Sequence, residues 1–532
     1  MPKGRMTILG ERKEKAVEKE FALKVFKGLQ NGNDVRGSAI ATDTEARTIT
    51  SDLVQFIAAA FGLFLSEKYG KAEEKLRIGI GHDSRITAEI FTKAAAKGLS
   101  KGQVYDCGLI TTPAMFQSVL LPQSGFDASI MLTASHLPFN RNGMKFFTRD
   151  GALSHDELTS ILVKAADLAV LYGREDEEAR ISAEGLPYED CEAVPFDMVS
   201  IYVNHMQNII KEAVKAEDFD HPLKGLHIVV DSGNGASGFF ADRILGELGA
   251  DTSGSQFLNA DGHFPNHVPN PENAEAMDSV RKATVENKAD LGVIFDCDGD
   301  RGAVVFPDGT EVNRNTLIAL LAVIVSEEAP GSYVVTDSVT SDELGVFLTE
   351  KLGMKHLRFK RGYKNVIDKG VELNASGERC ELAIETSGHG AFKENHFSDD
   401  GAYIAVKIIC KMAVLRKEGR KIEELIADLK QPLESKEIRL RIKAEDFRSY
   451  GEKVLADFTE YAEHDENFHI VSPNYEGVRI AFDDPEVKGW MLLRMSLHDP
   501  VMPVNLEASV PGGVSVIEKR FRSFIEGYSE LE

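Results

Sequence analysis

The chain has 532 residues, of which 43% are hydrophobic and 27% charged, and its formal net charge is −24. That length exceeds what one hydrophobic core organises, so several domains are expected, and the composition is that of a soluble globular protein. The acidic balance excludes a nucleic-acid backbone as the main partner, because such binding needs a basic face, but it leaves room for a local basic pocket around a small anion.

The N-terminal stretch MPKGRMTILGERKEKAVEKE is charged from its first turns and has no apolar segment followed by small residues, so it does not read as a secretory signal. The apolar run Leu53–Leu65 is interrupted by Gln55 and is too short for a bilayer, and the run Leu317–Val325 is shorter still, so no membrane span is expected. The five cysteines, Cys107, Cys191, Cys297, Cys380 and Cys410, are scattered without paired spacing. They read as reduced thiols of a cytoplasmic protein, not as a disulfide frame or a zinc site.

One pattern recurs along the chain. A short apolar run ends in a polar, Gly-, Asp- or Ser-rich loop, and a helical stretch follows nearby. LRIGI (Leu76–Ile80) leads into GHDSR, ASIML (Ala128–Leu132) into TASH, and LHIVV (Leu226–Val230) into DSGNGASG. LGVIF (Leu291–Phe295) leads into DCDGDR, YVV (Tyr333–Val335) into TDSVTS, and LAI (Leu382–Ile384) into ETSGH. Buried strands followed by polar loops and helices predict α/β layers with function at the carboxyl ends of the strands. Three consecutive α/β units are expected, although no internal repeat is strong enough to prove duplication. QPLESKEIRL (Gln431–Leu440) reads as a linker, and beyond it a separate α+β domain of roughly a hundred residues is expected. That domain contains the strand-like WMLLR (Trp490–Arg494) and a final helix.

Four loops carry chemistry. In TASHLPFNRNGMKFF (Thr133–Phe147), Ser135 follows a strand, Pro138 and Asn142-Gly143 shape a turn, and Lys145 stands on the return arm of a hairpin. A serine hydroxyl needs a base, a metal or a cation to become a nucleophile, and Lys145 could supply charge or a proton. A turn-capping serine and a solvated lysine would leave the same pattern. In DCDGDR, Asp296, Asp298 and Asp300 alternate around a tight glycine turn, and hard oxygen ligands of that kind select Mg²⁺, Mn²⁺ or Ca²⁺. The bland alternative is an acidic surface turn. Arg301 beside the triad suits a phosphate shared between a metal and a guanidinium. In ETSGH, Glu385, Ser387 and His389 suit vicinal sugar hydroxyls, or else cap a helix and satisfy a histidine. In RMSLHDP, Arg494, Ser496 and His498 alternate after a strand and could face one phosphate, or the arginine could be solvated. Arg36 in NDVRG and Arg85 in GHDSR read, in isolation, as structural ion pairs.

Taken in order, these loops resemble the α-D-phosphohexomutase family of phosphoglucomutases, phosphomannomutases and phosphoglucosamine mutases, from Asp34 to about Ala508. The resemblance implies three α/β domains with mixed sheets, 1–197, 198–325 and 326–432, and a C-terminal α+β domain, 433–532, around a central cleft. The first would carry the phosphoserine loop, the second the metal loop, the third the sugar loop and the fourth the phosphate-anchoring loop. Ser135 would carry the transferable phosphate. Asp296, Asp298 and Asp300 would hold Mg²⁺, with an oxygen on Ser135 as a further ligand. Arg301, Lys145 and Arg36 would be the helping cations, Lys145 as an acid/base or electrostatic partner. Glu385, Ser387 and His389 would select the sugar, with Lys360 or Lys364 nearby, and Arg494, Ser496 and His498 would anchor phosphate.

The implied activity is an intramolecular phosphotransferase, a cytoplasmic isomerase of carbohydrate metabolism. It would interconvert the 1- and 6-phosphates of mannose or glucose through a bisphosphorylated hexose that also serves as activator. The partners are hexose phosphates, with neither nucleic acid nor membrane, and the enzyme is expected as a monomer or homodimer. Phosphoglucosamine mutase is the alternative substrate reading, and a sugar-phosphate phosphatase or a non-catalytic sugar-phosphate-binding regulator are the alternatives of other classes. Three positions depart from the family pattern: NDVRG lacks the usual aromatic before Asp34, Leu497 stands for a glycine, and His498 stands for a threonine.

Overall fold

The computed structural model describes residues 18–172, 191–496 and 499–532. The chain divides after Thr310 into two compact units.

The first unit opens with a mixed sheet whose strands are β1 (Gln30–Asn31), β2 (Asp34–Ser38), β3 (Arg77–His82), β4 (Gln103–Leu109), β5 (Ala128–Leu132), β6 (Arg141–Thr148), β7 (Gly151–Ala152) and β8 (Val194–Pro195). The order is β1-β2-β6-β5-β3-β4-β8, with β7 paired to β6. β3 runs parallel to β4 and β5, whereas β6 is antiparallel to both β5 and β2. The apolar run Leu53–Leu65 lies inside the helix Ser51–Tyr69, which the Thr50 side chain caps and the left-handed Gly70 ends. Its Phe56, Ile57 and Phe61 join Ile130 of β5 and Phe146 of β6 in one buried core. Each such fully buried side chain contributes roughly 1.5–3 kcal/mol.

Asn142-Gly143 does not form the hairpin turn. Both residues lie within β6, opposite Gly37 and Arg36 of β2. A Cβ on Gly143 would meet the Val35 carbonyl oxygen at 2.0 Å, so the glycine lets two strands approach. The loop between β5 and β6 is formed instead by residues 133–140.

The second sheet holds β9 (Ile228–Asp231), β10 (Leu291–Phe295) and β11 (Gly302–Val305), with β10 parallel to β9 and antiparallel to β11. The helix Ala274–Glu286 packs on β9 and β10. Asp296–Arg301 is the turn from β10 into β11, since Phe295 pairs with Gly302. A two-residue strand, β12 (Glu311–Val312), follows.

In the second unit, β13 (Tyr333–Thr336) runs parallel to β14 (Lys355–Arg358) and β15 (Cys380–Ile384), and β16 (Gly390–Phe392) returns antiparallel to β15. The helix Arg314–Glu328 belongs here, packed against the helix Gly401–Lys417 and β15. Its residues Leu317–Val325 are all buried, so it needs cover on every side. A division after residue 325 would cut this helix, and the chain instead divides after Thr310.

The last sheet is antiparallel: β17 (Glu434–Arg441), β18 (His469–Ile470), β19 (Val478–Phe482), β20 (Gly489–Leu493) and β21 (Val501–Ala508), in the order β17-β21-β20-β19-β18. The supposed linker Gln431–Leu440 therefore contains most of an edge strand. Its charges suit an exposed edge, while Leu440 enters the core. The helices Phe447–Glu463 and Gly513–Ile525 bring Phe458 and Phe521 against Ile480, Leu493 and Val504.

Among the described residues no helix is long and apolar enough to cross a membrane. All five cysteines are free thiols, and only Cys191 is not buried.

Candidate active site

In the first unit the structure brings Ser135, Arg36, Lys145, Arg301 and the three aspartates into one buried cluster. Ser135 has φ of 50°, a left-handed conformation that disfavours a side chain by roughly 1–2 kcal/mol. Its N–H donates to Thr133 Oγ1 at 2.8 Å, and its hydroxyl donates to Asp296 Oδ2 at 3.0 Å. His136 Nδ1 lies 3.3 Å from the same hydroxyl.

The facing carboxylate oxygens of Asp296, Asp298 and Asp300 lie within 4.8 Å of one another, and all three residues are fully buried. Gly299, at φ of 73°, closes the turn between the last two. At that spacing each pair repels by about 3 kcal/mol for an effective dielectric of ~20. Burial, then the charges of Asp300 and Asp298, push Asp296 well above the usual carboxylate range, against the pull of Arg301.

Two cations offset part of this charge. Lys145 Nζ is 2.6 Å from Asp300 Oδ2 and 3.8 Å from Asp298 Oδ2. Arg301 donates its N–H to Asp296 Oδ1 at 3.2 Å, and its side chain reaches Glu272 at 3.4 Å. Arg36 pairs with Asp34 at 2.8 Å and donates to the Thr133 carbonyl at 2.6 Å, so it braces the base of the serine loop.

The donor set fits a divalent cation. Against Lys145 and Arg301 the three aspartates leave one negative charge over. Thr112 Oγ1 donates to Asp298 Oδ2 at 2.6 Å, but Asp298 Oδ1 is buried with no hydrogen-bond partner among the described residues. An orphaned buried carboxylate oxygen is costly unless a cation faces it. All-oxygen ligation is the chemistry of a hard ion.

The second unit holds the other predicted residues. Glu385–His389 is the turn from β15 into β16, closed by Gly388 at φ of 93°. Glu385 accepts from the Gly362 N–H at 2.6 Å and from Ser387 Oγ at 3.2 Å. His389 Nδ1 lies 2.6 Å from Asp399 Oδ2, and its ring stacks on Tyr363 with centroids 5.1 Å apart. Buried Asp337 receives Thr386 Oγ1 at 2.7 Å. Burial, then the charge of Glu385, push Asp337 up to about 7, opposed by Arg361.

Lys360 is exposed, and Lys364 pairs with Asp368 on its own helix at 2.7 Å. Arg361 lies between them, with its N–H donating to Glu476 Oε2 at 3.1 Å. Arg494 is 5% exposed, and its Nε has no hydrogen-bond partner among the described residues. Burial lowers its pKa, with Glu476 opposing. Ser496 accepts from the Asp499 N–H at 3.2 Å, and His498, with Leu497, lies outside the described residues.

Several residues of these sites went unrecognised in the sequence: Thr112 on Asp298, Asp83 behind Ser135, and Asp337, Arg361 and Glu476 around the sugar loop, while Arg85 read only as a structural ion pair, which it forms with Asp83. The only signal was position, since Asp83 and Asp337 each follow a buried strand.

Comparison with known proteins bears on the whole arrangement. Models of the phosphoglucomutase/phosphomannomutase α/β/α domains I, II and III match residues 27–168, 200–309 and 313–433. A Pseudomonas putida phosphomannomutase/phosphoglucomutase is 28% identical, covering 92% of this chain and 94% of its own. A Pediococcus pentosaceus phosphoglucosamine mutase is 29% identical, covering 72% of this chain and 78% of its own. The crystal structure of a phosphoglucomutase/phosphomannomutase family protein from Burkholderia thailandensis superposes with a TM-score of 0.74 at 25% identity, covering 95% of this chain and 97% of that one. Three matched domain models in unbroken order, and relatives aligned nearly end to end, leave one assignment: the chain belongs to the phosphoglucomutase/phosphomannomutase group of the α-D-phosphohexomutase family.

Proposed function

We propose that the protein is a phosphohexomutase that interconverts hexose 1-phosphates and hexose 6-phosphates, with mannose or glucose as the sugar. The observation that carries this reading is the Ser135 hydroxyl 3.0 Å from Asp296, within an aspartate triad that keeps one buried oxygen unpaired.

Ser135 carries the phosphate between turnovers. The free hydroxyl of a bound hexose phosphate attacks the phosphorus on Ser135. The new sugar O–P bond forms as the serine O–P bond breaks, the hydroxyl proton passes to the leaving serine oxygen, and a bisphosphorylated hexose and a free serine result. That intermediate turns end for end and returns its other phosphate to Ser135. Phosphoryl transfer depends chiefly on positioning and charge neutralisation. Lys145, beside Asp300, would move a proton or hold charge during the transfer, and Arg301 would steady the transferring group. Asp296, Asp298 and Asp300 would hold Mg²⁺, which when bound supplies positive charge to the phosphoryl oxygens.

The supports for substrate binding lie in the second unit. Glu385, Ser387 and His389 present an acceptor, a hydroxyl and an imidazole on one turn, suited to sugar hydroxyls. The buried guanidinium of Arg494, with Ser496 and His498, is assigned to the non-reacting phosphate. Lys360 or Lys364 would stand near the substrate. The mannose or glucose reading draws on a relative of that name that spans nearly the whole chain, whereas the phosphoglucosamine mutase spans less of it. We place the enzyme in the cytoplasm on the strength of its five free thiols.

The test incubates the purified protein with Mg²⁺, a trace of hexose 1,6-bisphosphate, and glucose, mannose or glucosamine 1-phosphate in turn, followed by ³¹P NMR. The expected result is the 6-phosphate of glucose or mannose, with turnover reduced at least about 10³-fold in Ser135→Ala. Release of inorganic phosphate alone would identify a phosphatase, and full turnover by Ser135→Ala would remove the serine from its role.

A further inference from the structure

Behind the serine loop sits an arginine with every donor engaged. The Arg85 side chain has no solvent exposure. Its Nη2 donates to the carbonyls of Ser135 at 2.5 Å and Leu137 at 2.7 Å, and its Nη1 to those of Pro138 at 2.7 Å and Arg141 at 2.8 Å. Its Nε donates to Asp83 Oδ2 at 3.2 Å. A guanidinium has five N–H donors in a fixed fork, and here four of them grip the main chain of one loop.

Asp83 gathers the other threads. It accepts from Thr133 Oγ1 at 2.6 Å, and that same oxygen accepts the Ser135 N–H. The Cys297 thiol, from within the aspartate loop, reaches Asp83 Oδ2 at 3.3 Å. Both main-chain polar groups of Ser135 therefore lead back to one carboxylate, which also touches the loop of the triad. A left-handed serine persists only where its surroundings over-determine it.

We propose that Arg85, fixed by Asp83, is a positioning residue that holds Ser135 in its left-handed conformation and so aims Oγ at the triad. The inference rests on the mutase reading, because a serine that gives and receives phosphate must return to one in-line position each time. A displacement of about 1 Å at a reacting centre lowers the rate by about 10²-fold.

The experiment uses two variants of the full chain. Arg85→Lys keeps the charge but offers three donors in place of five, and Thr133→Val keeps the volume but loses the hydroxyl. Active sites are counted as the fraction of Ser135 that takes phosphate from hexose 1,6-bisphosphate, read by intact mass, with folding checked by circular dichroism. The expected result is a turnover per active site about 10²-fold lower for Arg85→Lys and about 10-fold lower for Thr133→Val, with KM for the hexose 1-phosphate unchanged. Loss of active sites with normal turnover in those remaining would make Arg85 merely structural and overturn the proposal. If Arg85→Lys fails to fold, Thr133→Val decides, and an unchanged rate there overturns it. A wild-type protein that takes no phosphate from the bisphosphate would instead sink the mutase reading.

Discussion

Ser135 and the three aspartates make a site whose charges balance only when something is added. Lys145 and Arg301 offset two carboxylates, Thr112 takes one oxygen of Asp298, and the other oxygen has no hydrogen-bond partner among the described residues. Asp298→Asn keeps the shape and an acceptor for Thr112 but removes the charge a divalent cation would need. The Mg²⁺ concentration for half-maximal activity should rise at least about 100-fold. A titration of activity, paired with calorimetry of Mg²⁺ binding to the resting protein, reads this directly, and an unchanged midpoint in both would take Asp298 out of the ligand set. The residues proposed to do chemistry were readable because they are dense and contiguous: three aspartates in five positions, and a serine and a lysine on either side of one loop. Their supports were not readable. Thr112 meets a carboxylate 186 residues away, and Arg85 meets carbonyls 50 or more residues away, so neither leaves a local pattern. Lys360, expected with Lys364 near the substrate, is exposed, and the main-chain N–H of its neighbour Arg361 donates to Glu476.

One local plan is used three times. In each α/β sheet a buried strand lies parallel to a neighbour, ends in a polar turn, and returns as an antiparallel strand. β5 leads through the serine loop to β6, β10 through the aspartate turn to β11, and β15 through the sugar loop to β16. The strands were legible because they are short apolar runs. The return was read at the serine loop alone, where Lys145 stands on the far arm of a hairpin; its repetition was not legible, because the three turns differ in length and carry different chemistry. Asn142-Gly143 misled for a physical reason: that pair favours two-residue hairpin turns, yet here the glycine serves strand approach. Gly143→Ala would drive a Cβ into the Val35 carbonyl, part of a backbone that cannot swing aside. Overpacking of this kind costs about 3 kcal/mol. Chemical denaturation should show that loss, whereas Gly527→Ala, with open space around it, should lie within about 0.5 kcal/mol of wild type. Since β2 carries Arg36 and β6 carries Lys145, turnover should fall with stability. A neutral Gly143→Ala would mean that β2 and β6 do not pair at this register.

At the scale of the whole molecule, the division after Thr310 makes a thermodynamic difference between metal and protein stability visible. Compact units with their own cores need not unfold in one step. All three aspartates, Lys145 and Arg301 precede the division, so a cation held by that set binds residues of the first unit. A ligand at 100 times its dissociation constant adds about 2.7 kcal/mol to the state that binds it. Differential scanning calorimetry should therefore resolve two transitions, one of which moves up by several degrees with saturating Mg²⁺ while the other stays in place. Asp298→Asn should abolish that shift without altering the second transition. Separate preparations of residues 1–310 are unnecessary, because the intact chain contains its own internal reference. If Mg²⁺ still moved the first transition in Asp298→Asn, the cation would be acting somewhere other than the aspartate turn.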